Sequence, residues 1–415
     1  MLLRLLPVAF VLTCAFQSAS GQTVTLDSLS KKTLSVPPDA SSSSIPAKWY
    51  DRISLKGYAQ FRYNRLLETN PDLKCDQCDK GIGKGQEFEF RRARLVLSGD
   101  VHDRLFMYLQ FDYSADATVN NKHFLQVRDA YFDLALDKKK SYRIRFGQSK
   151  VPFGFENLLS SSNRLPFDRS DALNSAVPNE RDFGAFFMYA PEKIRTFYKH
   201  NANDAMKGSG DYGVFTVGLF NGQCSNKPEL NDNLHVVARL TYPFKVGKQI
   251  IEPGIQAYTG KYTVGADQRS IGVKFKEDQL YTDRRVAGTL VLYPQPFGFL
   301  AEYNVGESPT FNKATDSIQV EKLNGGFITA FYRNKLGKGF IMPYARYQVY
   351  DGAKKHELDA RRYNLNELEL GLEWQPFKNL EITLAYVISQ RKYSDFKSDY
   401  DEKGNFMRIQ VQTNY

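Results

Sequence analysis

The chain has 415 residues, a formal charge of +10, a pI near 9.1 and a mean hydropathy of −0.46, with aromatic residues at 14%. No stretch approaches the roughly 18 consecutive apolar residues of a spanning helix, which excludes a helical membrane protein. A basic chain suits nucleic acid, but this one begins like an exported protein, which leaves anionic solutes or lipopolysaccharide as its counter-charges.

Residues 1–21 read as a secretory signal: Arg4 gives the charged start, residues 5–15 the apolar core, and Ala19, Ser20 and Gly21 the small-residue cleavage site. Cys14 admits a lipoprotein reading, but Thr13 before it and the shortened apolar core argue against it. Residues 22–50 contain PPDASSSSIPAK and no sustained period, the composition of a flexible periplasmic leader.

From residue 53 onward the sequence alternates. Leu55, Gly57, Ala59, Phe61 and Tyr63 share one face, and Lys56, Tyr58, Gln60, Arg62 and Asn64 the other. The same two-residue period sets Ala93, Leu95 and Leu97 against Arg92, Arg94 and Val96, and Ala130, Phe132 and Leu134 against Asp129, Tyr131 and Asp133. Further on it opposes Leu368, Leu370, Leu372 and Trp374 to Glu367, Glu369 and Glu373, and it closes on Met407–Tyr415 against Arg408, Gln410, Gln412 and Asn414. Alternation of this kind marks strands with one apolar and one polar side. A β-sandwich alternates too; long and short connections taken in turn point instead to a transmembrane barrel. The expected fold is therefore all-β, a transmembrane antiparallel β-barrel of about sixteen strands filling residues 51–415 as one domain. Residues 190–211 break the rhythm: a tight turn is expected there, and residues 194–199 read at most as an extension of a strand.

Within that pattern the connection 150–181 is long and carries apolar anchors: Val151, Phe153, Phe155, Leu158, Leu159, Leu165 and Phe167. Loops of this length in compact domains are usually functional. The expectation is that it packs into the barrel mouth and narrows it.

The inward faces of the first five strands carry Lys56, Arg62, Arg92, Arg94, Arg143 and Arg145, and the long loop adds Lys150, Arg164 and Arg169. Guanidinium groups stay charged and bind oxyanions bidentately, and rings of Arg and Lys build anion pores. In a wide vestibule, charges are screened over a Debye length of about 8 Å. At a constriction, a pair about 4 Å apart attracts by roughly 4 kcal/mol at an effective dielectric near 20. The competing reading is structural: Asp112, Asp129 and Asp133 share those inward faces and can neutralise the arginines across strands.

The segments GQSKVPFGFENLLSSS and FDRSD, with RRARLVLSGDV and VRDAYFDL upstream, resemble the phosphate-selective porin O and P family of bacterial outer membranes, from about residue 53 to 415. The loop signature matches at Gly147, Gln148, Lys150, Pro152, Phe153, Gly154 and Glu156, and Arg91 and Arg92 match ahead of Ala93 and Arg94. The resemblance implies a homotrimer in the outer membrane with its third extracellular loop folded into an Arg- and Lys-lined lumen. It also implies phosphate as the solute.

Other motifs carry little. Cys75 and Cys78 form a CxxC in an outer loop; with no second pair or nearby His, a small loop-closing disulfide is favoured over free thiols in an oxidising setting. His102, His123, His200, His235 and His356 have no metal spacing, and no GxSxG, HExxH or Walker pattern occurs. The reading is a passive channel favouring small anions, phosphate or polyphosphate, with no catalytic residues, metal, cofactor or nucleic-acid partner. The alternatives are a general or other-substrate porin, for sugars or organic acids, and a barrel whose surface loops act as a binding or adhesion module.

Overall fold

The computed structural model describes residues 48–73, 86–115, 123–203, 206–393 and 400–415. The signal, most of the leader, and Cys75 with Cys78 lie outside the described residues.

Period-two alternation becomes sixteen antiparallel strands: β1 Ile53–Leu66, β2 Phe88–His102, β3 Leu105–Ala115, β4 His123–Ala135, β5 Tyr142–Lys150, β6 Arg181–Tyr189, β7 Phe215–Phe220 and β8 His235–Thr241. The second half runs β9 Gln249–Tyr262, β10 Tyr281–Leu292, β11 Phe297–Asn312, β12 Ser317–Tyr332, β13 Gly339–Ala353, β14 Arg362–Phe377, β15 Leu380–Tyr393 and β16 Tyr400–Asn414. Short segments Phe244–Val246 and Asn334–Leu336 continue β8 and β12 along the same neighbours, β9 and β13, past a Pro243 and an Arg333 that interrupt the ladder. Each strand pairs with the next, and β1 also pairs with β16, Tyr58 opposite Asn414, so the sheet closes. Closure leaves no unpaired edge, the condition for a sheet to cross hydrocarbon.

Outward positions are apolar and exposed, among them Leu55, Leu95, Phe132, Ile255, Leu290, Ile328 and Leu370. Toward the short-turn end the outer surface carries Tyr142, Phe244, Phe297, Tyr332, Trp374 and Phe377, and toward the other end Phe61, Phe88 and Tyr113. These have the composition of the two aromatic belts of a membrane barrel. Inward positions are polar: Gln60, Arg62, Arg94, Asp112, Glu302, Arg346, Glu369 and Gln412 are all buried.

The connection at 190–214 departs from expectation. Glu192–Asn203 is a helix, α1, and not a strand extension. Ile194, Phe197 and Tyr198 recur at helical spacing, and Ile194 and Tyr198 pack with Ala190 and Val214 in one buried cluster. The helical period was present in the sequence, but its apolar positions Ile194, Phe197 and Tyr198 cover little more than one turn of a 12-residue helix, too few to stand out beside the flanking strands.

Candidate functional site

The 151–180 connection is held by contacts that no local pattern displays. Its anchors Val151, Phe153, Phe155, Leu159, Leu173 and Val177 join one apolar cluster with Phe186, Phe220, Val237, Tyr258, Val291, Leu300 and Phe327 of the barrel wall. Gly154 has φ +81, and a Cβ there would lie 2.6 Å from Glu302 Oε1 and Leu173 Cδ2, so only glycine fits. The turn lets the backbone N–H groups of Phe155 and Glu156 donate to Glu302 Oε2 at 2.9 and 3.3 Å. Glu156 in turn pairs with Arg346 at 3.0 Å and accepts the Ser170 N–H at 2.8 Å. Arg285 donates to the Ala172 carbonyl at 2.9 Å and to Ser175 Oγ at 2.7 Å.

Asp171 closes this set. Lys354 lies 3.1 Å and Arg391 3.5 Å from its carboxylate, and the Tyr363 hydroxyl donates to it at 2.9 Å. Burial works to raise the Asp171 carboxyl, but Lys354 and Arg391 outweigh it and hold it below the usual carboxylate range. Glu180, at the far end of the connection, is likewise opposed by burial and held well below its ordinary value by Arg169 and Arg181.

The basic residues singled out in the sequence divide into two groups. Arg94 pairs with Asp112 at 3.0 Å across β2 and β3 and donates to Tyr58 Oη and Ser161 Oγ at 2.8 and 3.0 Å. Arg145 makes a two-pronged contact with Asp133 at 2.7 and 2.9 Å, and Arg143 meets Asp211 at 2.7 Å. Arg62 donates twice to Gln410 Oε1 and lies 3.5 Å from Asp168. Lys150 donates to the carbonyls of Leu158 and Leu159 at 3.0 and 2.6 Å, while Arg169 and Arg164 lie 2.9 and 4.0 Å from Glu180. For these the cross-strand lattice and loop support account for the charge. Arg92 and Lys56 differ, having no hydrogen-bond or ion-pair partner among the described residues. Arg92 is buried with Arg91, Arg94 and Arg164 as its nearest cations, and Lys56 is exposed.

At the short-turn end the barrel encloses a cavity of about 1280 Å³. Eight Lys and Arg line it against three Asp and Glu. Two of the acids are already paired, Asp129 with Arg181 at 2.9 Å and Asp211 with Arg143. Several of the cations, Lys56, Lys338 and Lys378, sit near strand ends. The 206–214 segment also borders the cavity: Lys207 makes a buried pair with Glu373 of β14 at 2.7 Å, and the Gly208 carbonyl accepts from Asn163 Nδ2 at 2.9 Å. Sequence reasoning missed Arg333, Lys338 and Lys378 as cavity residues because they fall in or beside tight connections between strands. It also passed over Tyr108, Tyr131 and Tyr212, although the alternation had already put Tyr131 on the polar face.

A model of the family described as phosphate-selective porin O and P matches residues 69–415. No curated protein matches the chain. Among solved structures it is similar to the outer membrane channel DcaP of Acinetobacter baumannii, at 14% identity and a TM-score of 0.54, covering 88% of this chain and 97% of that one. It is also similar to an anion-selective porin from Comamonas acidovorans, at 10% identity and a TM-score of 0.51, covering 88% and 99%. The trimer form of OmpT from Vibrio cholerae matches at 13% identity and a TM-score of 0.50, covering 88% and 100%. At these identities the likeness is one of fold, a closed barrel of porin type. With the family match spanning nearly the whole barrel, the chain belongs to the phosphate-selective porin O and P family of outer-membrane channels.

Proposed function

We propose that this channel is passive and favours anions, with phosphate-type oxyanions as the preferred solutes, and that residues 150–181 form its constriction. One observation carries the reading: the basic excess of the cavity at the short-turn end, where, once Arg94, Arg145 and Arg181 are set against their aspartates and Asp211 against Arg143, Lys56, Lys150, Arg333, Lys338 and Lys378 remain against Glu381. An enclosed wall of one sign concentrates counter-ions and raises their entry rate. Support for the constriction comes from the connection's hydrogen bonds and ion pairs to β1, β2, β10, β11, β13, β14, β15 and β16. A segment tied to strands on opposite sides of a closed barrel crosses its interior. Arg92 and Arg164, buried near one another with the weakest compensation, are then the groups a dehydrating anion meets.

The same reading takes residues 1–21 as an export signal, 22–50 as a periplasmic leader and the assembled protein as a homotrimer in contact with outer-membrane lipid and lipopolysaccharide. The trimer form of the Vibrio barrel and the anion selectivity of the Comamonas porin are consistent with it. The test is single-channel chloride conductance titrated with inorganic phosphate. Saturable block at phosphate well below the chloride concentration is expected; block only in proportion to ionic replacement would assign a general pore.

A further inference from the structure

Four side chains on one wall of the cavity form a stack that the anion reading does not use. Tyr108 of β3 and Tyr131 of β4 face each other across the strand pair with ring centroids 5.0 Å apart and planes 12° from parallel. The Arg145 guanidinium lies 3.9 Å from the Tyr131 centroid and 5.3 Å from that of Tyr212. All four line the cavity.

Tyr131 is sandwiched between Tyr108 and Arg145, so it is the outer faces of Tyr108 and Tyr212, at the two ends of the stack, that are left for the cavity. Gly147 stands opposite Tyr131 on β5 with φ +116, and a Cβ there would lie 2.3 Å from the Ala130 carbonyl oxygen. Gly147 therefore adds no side chain beside the ring, and the β5 side chain that covers it is Arg145. Arg145 is fixed by its two-pronged contact with Asp133, so it stiffens the stack while its charge is balanced. Tyr108 Oη is committed to Gln110 at 3.0 Å, whereas the hydroxyls of Tyr131 and Tyr212 have no hydrogen-bond partner among the described residues.

The faces of aromatic rings carry the negative side of their quadrupole, so they offer a bare oxyanion nothing. They do favour a planar or sugar ring, by stacking and by contact with C–H groups. The uncompensated cations Lys56 and Arg333 border the same cavity and would hold an attached anionic group. We infer that the cavity selects ring-bearing organic anions, such as phosphate esters and aromatic carboxylates, over inorganic anions of equal charge. The inference rests on the anion-favouring reading and adds a solute class to it.

The experiment uses the full chain in planar bilayers. Chloride current is titrated with phenyl phosphate and, separately, with inorganic phosphate, and the reversal potential in a potassium chloride gradient is recorded in the same membranes. Phenyl phosphate is expected to halve the current at a concentration about tenfold lower than inorganic phosphate, the scale of one good stacking contact. Tyr131→Leu with Tyr212→Leu is expected to bring the two half-blocking concentrations within twofold. Tyr131→Phe, which keeps the face and loses the hydroxyl, is expected to retain the difference. Equal half-blocking concentrations in the parent protein would overturn the inference. So would a difference that survives the double leucine variant, or one that Tyr131→Phe abolishes. A reversal potential on the cation side defeats the anion reading, and it is measured independently of the ring comparison.

Discussion

The two sides of the barrel interior use the same residue type for opposite ends. On the β10–β15 side, Arg285, Arg346 and Arg391 reach the 151–180 connection and are consumed by it: carbonyls of Ala172 and Asp168, and the carboxylates of Glu156 and Asp171. On the β1–β5 side, Arg94 and Arg145 pair with aspartates one strand away and border an open cavity, while Arg92 has no ion-pair partner among the described residues. An inward arginine is thus a docking post, a stiffener of the wall or a free charge, according to what lies opposite. Alternation alone fixes only that it points inward.

The largest expected effect comes from breaking the docking side. Arg346→Ala leaves Glu156 buried without its cation, and loss of one partner of a buried pair costs about 3–5 kcal/mol. The connection should loosen, seen as higher single-channel conductance and as new protease cleavage within 151–180; an unchanged channel would mean that Arg285 and Asp171 hold the segment alone.

Next is the wall that faces the cavity. Arg145→Ala removes the partner of Asp133 and should lower unfolding stability by about 2–4 kcal/mol, measured by denaturant titration of the folded barrel. Arg92→Ala removes an unpartnered charge, so it should leave stability nearly unchanged while reducing anion preference several-fold. Equal stability losses from the two substitutions would erase the distinction drawn between them.

The smallest effect is that of pH. Because Asp171 and Glu180 are held below their ordinary values, the stabilisation they give the connection is complete above the unfolded carboxylate range and is lost only as pH falls through the lowered values. Conductance should stay constant from about pH 8 to pH 5 and rise only below about pH 4. A rise between pH 7 and pH 5 would point to a different set of groups.

Much of the wall was legible because its period is local. Lys56, Arg62 and Arg94 face inward as read, and Phe61, Leu95 and Phe132 face outward, since a strand has only two sides. The apolar anchors of the long connection were equally plain as a buried set. What the chain order hides is register. Arg94 meets Asp112 and Arg145 meets Asp133 because the strand pairs align them, and a one-residue slip would have parted them. Contacts such as Phe155 with Glu302 and Lys207 with Glu373 join residues roughly 150 positions apart, and no spacing rule reaches that far. The 190–214 connection shows the reverse failure: its helical period was readable, but a stretch of alternating strands on either side hid it.

The central claim concerns charge, and the most direct measurement is the zero-current potential of the reconstituted full chain across a tenfold potassium chloride gradient. An anion-favouring interior predicts a potential displaced toward the chloride equilibrium value, moving toward zero when Lys56 and Lys338 are both replaced by Glu. A potential on the potassium side in the unaltered protein would contradict the account.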